Sequence, residues 1–183
     1  MTTLTLWHGG SLREKPTHYT GIRSKAEYGP GIYVSNQYQL ARKYAKGNKT
    51  TSQITFDVGT DISEVYIDYT DITQFVNSFV KVKFRKLLIS ECKCYCNDQG
   101  KISALCFLNL ITSDIYQFNQ TVKTSKALNQ FLVQHGVTTA KINNYMFSSG
   151  DTTVFVILDV NAIKHVNIRK ASTVALEEYF INV

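Results

Sequence analysis

Apolar and polar residues alternate in several short stretches of the chain, which is the pattern of β-strands with one buried face. Leu4 and Leu6 alternate with threonines and predict a first strand that ends at WHGG, residues 7–10. The run TVFVILDV, residues 153–160, is almost continuously apolar, which is typical of a strand buried on both faces. Three further strands are predicted at residues 52–58, 64–68 and 175–183.

Helical spacing prevails in the middle of the chain. The segment NQYQLARKYAKG, residues 36–47, fits a short helix that ends at Gly47. Ser35 or Asn36 is a natural N-cap for this helix. A second helix is predicted from Asp71, a candidate cap, because apolar residues follow it with the spacing of one helix face.

The region from about residue 81 to residue 120 admits two interpretations. The first is a long helix, a cysteine-containing segment and a second helix through Leu105 and Cys106. The alternative is a hairpin over Asn97–Gly100, where turn-forming residues cluster.

A last helix is predicted over residues 125–135 and is closed by Gly136. Strands towards both ends and helices between them indicate an α+β protein. The 183 residues suffice for one domain with its own core. A hydrophobic content of 44% and a charged content of 19% fit a folded protein rather than a disordered one.

Charge and the start of the chain add little to this picture. The formal net charge of +6 favours anionic partners such as nucleic acids, although the lysines are scattered. No apolar run approaches the roughly 20 residues of a membrane span, so we expect no membrane association. The opening MTTLTLWHGG lacks the basic and apolar regions of a signal peptide. We therefore expect a cytoplasmic protein.

The four cysteines lie close together in the sequence, at Cys92, Cys94, Cys96 and Cys106. Zinc ligands usually come as cysteine pairs separated by two to four residues, which this spacing does not provide. Cysteine is also among the residues most often buried. We therefore expect core packing in a reducing compartment and no metal site.

The stretch YGPGIYVSN, residues 28–36, concentrates glycine and proline directly before strand-forming residues. Pro30 fixes its own φ and pushes Gly29 towards extended geometry. Gly31 lets another group approach its backbone closely. The stretch predicts a tight turn that leads into a strand, and an ordinary surface turn is the alternative to a functional one.

The sequence LWHGG followed by GPGIYVSNQYQLARKYA resembles the NAD-binding signature of the diphtheria-toxin-like ADP-ribosyltransferases, the group that includes the poly(ADP-ribose) polymerases. In that group one strand ends in His-Gly, and a second strand of the form Gly-x-Gly-Ile/Phe-Tyr leads into a helix with a further aromatic residue. The matching residues are His8, Gly9, Gly29, Gly31, Tyr33 and Tyr44. The match covers about the first 60 residues and, more weakly, residues 136–166. It implies a split two-sheet α+β fold over residues 1–183, with about 71–135 as a largely helical insertion.

The resemblance implies that NAD is the co-substrate. Tyr33 and Tyr44 would sandwich the flat, cationic nicotinamide ring by stacking and cation–π attraction. The backbone of Gly9 would serve the carboxamide, which needs one donor and one acceptor. His8 would hydrogen-bond a ribose hydroxyl, and Ser35 would add a contact. The implied NAD-binding set is His8, Gly9, Gly31, Tyr33, Ser35 and Tyr44.

Breaking the bond between nicotinamide and ribose passes through an oxocarbenium-like state, which nearby negative charge stabilises. The family supplies this charge from a glutamate on a late strand, and two segments compete for that position. EEYFINV places Glu178 before a tyrosine, whereas TTVFVILDV has the apolar context but puts Val154 where the glutamate belongs. The implied catalytic residues are His8, Tyr33 and Glu178.

An apolar residue at the glutamate position is associated in the family with transfer of a single ADP-ribose. We therefore expect an NAD-dependent mono-ADP-ribosyltransferase, a toxin-like effector of bacterial or phage conflict with an antitoxin or other inhibitory partner. The basic charge favours RNA or DNA over protein as the acceptor. A degenerate relative that binds NAD, ADP-ribose or nucleic acid without chemistry is the main alternative. A metal-stabilised scaffold built on the cysteines is a more distant one.

Overall fold

The strands and helices are those of a computed structural model, which describes residues 2–10, 12, 14–21, 28–45, 50–116, 118, 121–143 and 152–183. Within these residues the strands are β1 (Thr3–His8), β2 (Ile32–Ser35), β3 (Thr50–Asp57), β4 (Tyr66–Asp68), β5 (Lys101–Ser103), β6 (Thr139–Ile142), β7 (Val154–Ile157) and β8 (Ile163–Lys170). The α-helices are α1 (Tyr38–Tyr44), α2 (Tyr69–Phe79), α3 (Val82–Cys94), α4 (Ala104–Thr112) and α5 (Val122–Gln134). The prediction of an α+β chain with helices in its middle is confirmed.

Six of the strands form one antiparallel sheet in the order β6-β7-β2-β1-β3-β8, and β4 pairs with β5 in a separate two-stranded sheet. β1 pairs with β3 from Thr3 to His8, but it shares a single registered pair with β2, Trp7 with Ser35. The two-sheet division implied by the resemblance is therefore not visible in the strand order. What stands in its place is a weak junction between β1 and β2.

β7 lies between β6 and β2, and all four of its residues are buried. Phe155 and Ile157 pack with Leu6 on one face of the sheet, whereas Val156 packs with the helices on the other face. Because both faces are covered, every position of this strand is apolar, and the prediction of a buried strand is confirmed.

The helix α1 begins one or two residues later than predicted. Its N-cap is Gln37 rather than Ser35 or Asn36, because β2 continues through Ser35. The hydroxyl of Ser35 still accepts a hydrogen bond from the Gln37 N–H at 3.0 Å. The predicted end of this helix, Gly47, lies outside the described residues.

The helical middle of the chain follows the two-helix interpretation of its sequence. Asp68 is the N-cap of α2, so Asp71, the predicted cap, lies in the first turn instead. The residues Asn97–Gly100 form a turn, closed by a bond from the Gly100 N–H to the Asn97 carbonyl. This turn leads from α3 into β5, which pairs with the distant β4, so the predicted hairpin is wrong.

The last helix, α5, starts earlier than the predicted residue 125 because Thr121 caps it by accepting a bond from the Thr124 N–H. Gly136 follows this helix with a φ of 90°, a conformation that favours glycine, as predicted for its stop.

Packing is confirmed for Cys92, which is fully buried, but not for Cys94, which is exposed at the end of α3. Burial raises the pKa of the Cys92 thiol to about 12, so this thiol stays protonated at neutral pH. Among the described residues, no cluster of histidine, cysteine, aspartate and glutamate side chains is arranged to hold a metal ion. No helix in the described part of the chain is long and apolar enough to cross a membrane.

The C-terminal residues 175–183 do not form the predicted strand. They contain a short 3-10 helix, Leu176–Glu178, followed by a segment that lies against the start of α1. The Tyr38 N–H donates to the Tyr179 carbonyl and the Ile181 N–H donates to the Asn36 carbonyl, both at 2.9 Å. The segment therefore forms an isolated antiparallel bridge, Gln37 with Phe180, between the end of β2 and the start of α1. Tyr179 and Ile181 pack against the protein on either side of the exposed Phe180, but within the described residues the extended piece is limited to this one bridge.

Candidate functional site

The candidate site lies where β1 and β2 part. Beyond the pair of Trp7 with Ser35 the two strands share no further registered residues in the described ladder. Here a side chain links the two strands instead of the backbone. The Nδ1–H of His8 donates to the backbone carbonyl of Tyr33 at 2.8 Å. Two residues that are 25 positions apart in sequence are thus joined directly, and both belong to the predicted site.

The hydrogen bond to Tyr33 also fixes the state of the His8 ring. A carbonyl only accepts, so Nδ1 carries the proton and Nε2 of the neutral ring presents a lone pair. Burial lowers the pKa of His8 below its ordinary 6.5, although the bond to the Tyr33 carbonyl acts in the opposite direction. A Cβ atom at Gly10 would lie 2.8 Å from Nε2, so the glycine keeps the space next to this nitrogen open. The neutral His8 ring is therefore an acceptor suited to a hydroxyl group.

The helix α1 packs so closely against Gly9 that no side chain fits at this position. A Cβ atom at this position would lie 1.8 Å from the carbonyl oxygen of Ala41 and 3.1 Å from the backbone nitrogen of Ala45. The helix can lie against the end of β1 only because residue 9 is glycine. This contact sets the position of the aromatic residue Tyr44, which is 53% exposed near the end of α1.

The ring of Tyr33 is half-buried and is held by the turn that precedes β2. Its hydroxyl donates to the carbonyl of Gly29 at 3.0 Å and accepts from the N–H of Tyr28 at 3.1 Å. The ring also packs against the core formed by the helices. The Tyr33 ring is therefore held rigidly, and it is the backbone carbonyl of this residue that contacts His8.

The Gly-Pro-Gly turn itself is buried, so it is not an ordinary surface turn. A Cβ at Gly31 would lie 2.5 Å from the carbonyl oxygen of Ile157 in β7, which explains the glycine by packing. Gly29 has a φ of 110°, which also favours glycine. The side-chain amide of Asn129 donates to the Pro30 carbonyl at 2.8 Å. The turn thus acts as a fixed support for Tyr33.

The remaining predicted NAD contact, Ser35, is buried, with 4% of its surface exposed. Its hydroxyl is engaged at the start of α1, as described above. Of the predicted set, the structure brings His8, Gly9 and Tyr33 together at one junction.

The third catalytic candidate, Glu178, is engaged by the protein itself. Its carboxylate oxygens accept from the guanidinium of Arg169 at 2.8 and 2.9 Å, and one also accepts from the Ala175 N–H. The Arg169 pair is the main cause that lowers the pKa of Glu178 below its ordinary 4.5. The Glu178 carbonyl accepts from the Trp7 indole at 2.9 Å. Glu178 is thus fixed on the side of β1 that carries Trp7. His8 follows Trp7 in the strand, so its side chain points to the opposite side.

The competing position, Val154, is 3% exposed and pairs with Ser35 of β2 and Ile142 of β6. It lies in the sheet next to the junction, but it brings no charge. In the described part of the chain, neither candidate segment places a carboxylate in a hydrogen bond with His8 or Tyr33.

Two supporting residues were missed by sequence reasoning. Asn129 donates from one amide nitrogen to the carbonyls of both Pro30 and Leu158, and it is 4% exposed. Its signal was a polar residue within the apolar face of α5. Arg169 had no comparable signal, because its role depends on a chain segment that was predicted as a strand.

Comparisons with known proteins add little to this geometry. No protein-family model matches the sequence, and no curated protein matches it significantly. A crystal structure of an anti-CRISPR protein is similar over 91% of this chain and 96% of that chain, at 12% sequence identity and a TM-score of 0.39. A similarity at this level establishes neither a shared fold nor a function.

Proposed function

We propose that the protein is an NAD-dependent mono-ADP-ribosyltransferase, a toxin-like effector that modifies a macromolecular acceptor. The proposal rests above all on one observation, the hydrogen bond that joins His8 to Tyr33 where β1 and β2 part. The weak pairing at this junction also supports a split ADP-ribosyltransferase-like sheet, with the seam between these two strands.

The residues at the junction suit the binding of NAD in distinct ways. Nε2 of the neutral His8 ring would accept a bond from a ribose hydroxyl. The fixed ring of Tyr33 and the exposed ring of Tyr44 would enclose the cationic nicotinamide by stacking and cation–π attraction. The backbone of Gly9, in contact with α1, would orient the carboxamide. The gain is orientation, because the protein holds His8, Gly9 and Tyr33 in place before NAD binds.

The chemistry is displacement at the anomeric carbon of the nicotinamide-bearing ribose. The bond from this carbon to nicotinamide breaks, nicotinamide leaves with the electron pair, and a nucleophile of the acceptor forms the new bond. Val154 at the position of the family glutamate supports transfer of one ADP-ribose rather than chain growth.

The second candidate function is binding of NAD, ADP-ribose or nucleic acid without transfer. The specific observation in its favour is the Glu178 carboxylate, which is neutralised by Arg169 instead of facing His8. In this case the protein would retain NAD but release no nicotinamide.

We favour a nucleic acid over a protein as the acceptor because the net charge is +6. The test is incubation with NAD labelled on its adenylate and with a cell lysate, followed by nuclease or protease digestion. The proposal predicts a labelled product that survives protease and is lost to nuclease. Label that is lost to protease alone would assign the acceptor to protein. Bound NAD with no labelled product would favour the binding module.

A further inference from the structure

A surface groove of about 550 Å³ lies between α2 and α3, in the helical part of the chain. The helix α2 contributes Tyr69 and the exposed Asn77 to its walls. The helix α3 contributes one stripe of side chains, whereas its Leu88 and Cys92 face the core. The groove is therefore open to solvent on one side and rigid on the other.

The walls of the groove are basic. Arg85, Lys86 and Lys93 all line it, and the described lining contains no aspartate or glutamate. The one acidic residue of α3 is Glu91, whose carboxylate accepts a hydrogen bond from the hydroxyl of Tyr116 and does not line the groove. The positive charge of the groove is thus not balanced by an acidic side chain of its own walls.

Two of the three cations lie on one line along α3. Lys86 and Lys93 are exposed and lie about two helical turns apart, or roughly 10 Å along the axis, so they project from the same side of α3. Arg85 is anchored between them and α2, because its Nε donates to the Val80 carbonyl at 2.8 Å. The groove therefore presents one anchored guanidinium and two exposed lysine side chains.

Neutral side chains complete the groove. Val82 is 75% exposed beside it, and Tyr69 and Ile89 supply partly exposed apolar surface. Interfaces with proteins are depleted in lysine, whereas those with nucleic acids are strongly positive. Proteins that bind single strands combine such cations with aromatic side chains on which the bases stack, and Tyr69 is the aromatic residue of this lining.

We propose that this groove binds the phosphate backbone of a single-stranded nucleic acid. Lys86, Lys93 and Arg85 contact phosphates, and the apolar wall contacts the bases. The inference deepens the proposed function by locating its acceptor. It is tested without NAD, so a failure of the groove and a failure of the transferase are separate results.

The test is fluorescence anisotropy of a labelled 20-nucleotide oligouridylate titrated with the protein over a range of salt concentrations. The double substitution Lys86→Ser and Lys93→Ser removes two predicted phosphate contacts. Because each contact contributes about 0.7 to the salt slope for single strands, the slope should fall by about 1.4 and the affinity by roughly 10- to 30-fold near 0.1 M salt. The matched control, Lys123→Ser with Lys170→Ser, makes the same charge change at two exposed positions elsewhere.

An equal loss of affinity in both double variants would overturn the proposal, because net charge alone would then explain binding. A labelled polyglutamate of the same length is the second probe. If it binds as tightly as the RNA and responds to the same substitutions, the groove takes an acidic protein instead. Protection of Lys86 and Lys93 of the wild type from acetylation by the bound RNA supports the groove without any variant. Absence of this protection during saturated binding contradicts it.

Discussion

Trp7 contacts both the β1–β2 junction and the C-terminal segment, yet these two regions use their polar side chains differently. At the junction, Nδ1 of His8 donates a hydrogen bond to the Tyr33 carbonyl, and Nε2 of the same ring remains an acceptor. In the C-terminal segment, both carboxylate oxygens of Glu178 are bonded to Arg169. A polar side chain is thus a candidate for binding a ligand when its hydrogen bonds to the protein orient it but leave one of its polar atoms without a partner.

The substitution His8→Gln should have the largest effect on this comparison. It removes the oriented acceptor for the ribose, and a misplacement of about 1 Å at a reacting centre can cost on the order of 100-fold in rate. We expect nicotinamide release from NAD to fall by roughly that factor, measured by chromatography of the product. His165→Gln, at an exposed position of β8, is the control and should retain full activity. A similar loss of nicotinamide release in both variants would show that His8 has no specific role in the reaction.

The substitution Asn129→Ala should have a moderate effect, on stability first. It leaves the buried carbonyls of Pro30 and Leu158 without their donor, which should cost about 1–3 kcal/mol in the free energy of unfolding. Urea unfolding followed by circular dichroism measures this quantity. The control is Gln130→Ala at the exposed neighbouring position, where we expect a change within about 0.5 kcal/mol. If the two variants are equally stable, the amide does not support the turn.

The substitution Glu178→Gln should have a small effect on turnover. Because the carboxylate holds Arg169, its loss should lower the thermal midpoint while nicotinamide release changes by less than about threefold. Glu177→Gln, at the exposed neighbouring residue, should change neither property. A catalytic glutamate would behave otherwise, with turnover falling far more than NAD binding at an unchanged thermal midpoint. That outcome would assign the third motif to the C-terminal segment after all.

The smallest effect is expected from pH. The pKa of His8 is lowered by folding, so the unfolded chain takes up this proton first as the pH falls below 6.5. Stability should therefore decline below pH 6.5, and His8→Gln should show a shallower decline than the wild type. Unfolding midpoints measured between pH 7.5 and 5.5 give the two slopes, which must differ for the burial of His8 to be correct.

Local sequence patterns predicted the sheet strands well where alternation coincided with a covered face. The strand β7 is apolar throughout because both of its faces are packed, and that cause is visible in the sequence itself. The same logic failed for residues 175–183, which form a 3-10 helix and an isolated bridge beside the start of α1 instead of a full strand. Periodicity records which residues are covered and not what covers them.

The candidate site was predictable only in part. The spacing of His8 and Tyr33 identified the pair, but the hydrogen bond between them depends on how β1 and β2 part. The sequence indicated that a group approaches the backbone of the glycines closely. For Gly9 and Gly31 this group is another part of the protein backbone. The partner of Glu178 depended on a segment whose structure the sequence did not predict.

The most direct test of the proposed function is nicotinamide release from NAD by the wild type and by Tyr33→Ala. The substitution removes the fixed ring that would stack on nicotinamide but leaves the backbone carbonyl that orients His8. The control, Tyr66→Ala, removes a tyrosine that is 54% exposed on β4. We predict that the wild type and Tyr66→Ala release nicotinamide and that Tyr33→Ala loses most of this activity. Equal release by the wild type and Tyr33→Ala, or no release by the wild type, would contradict the assignment.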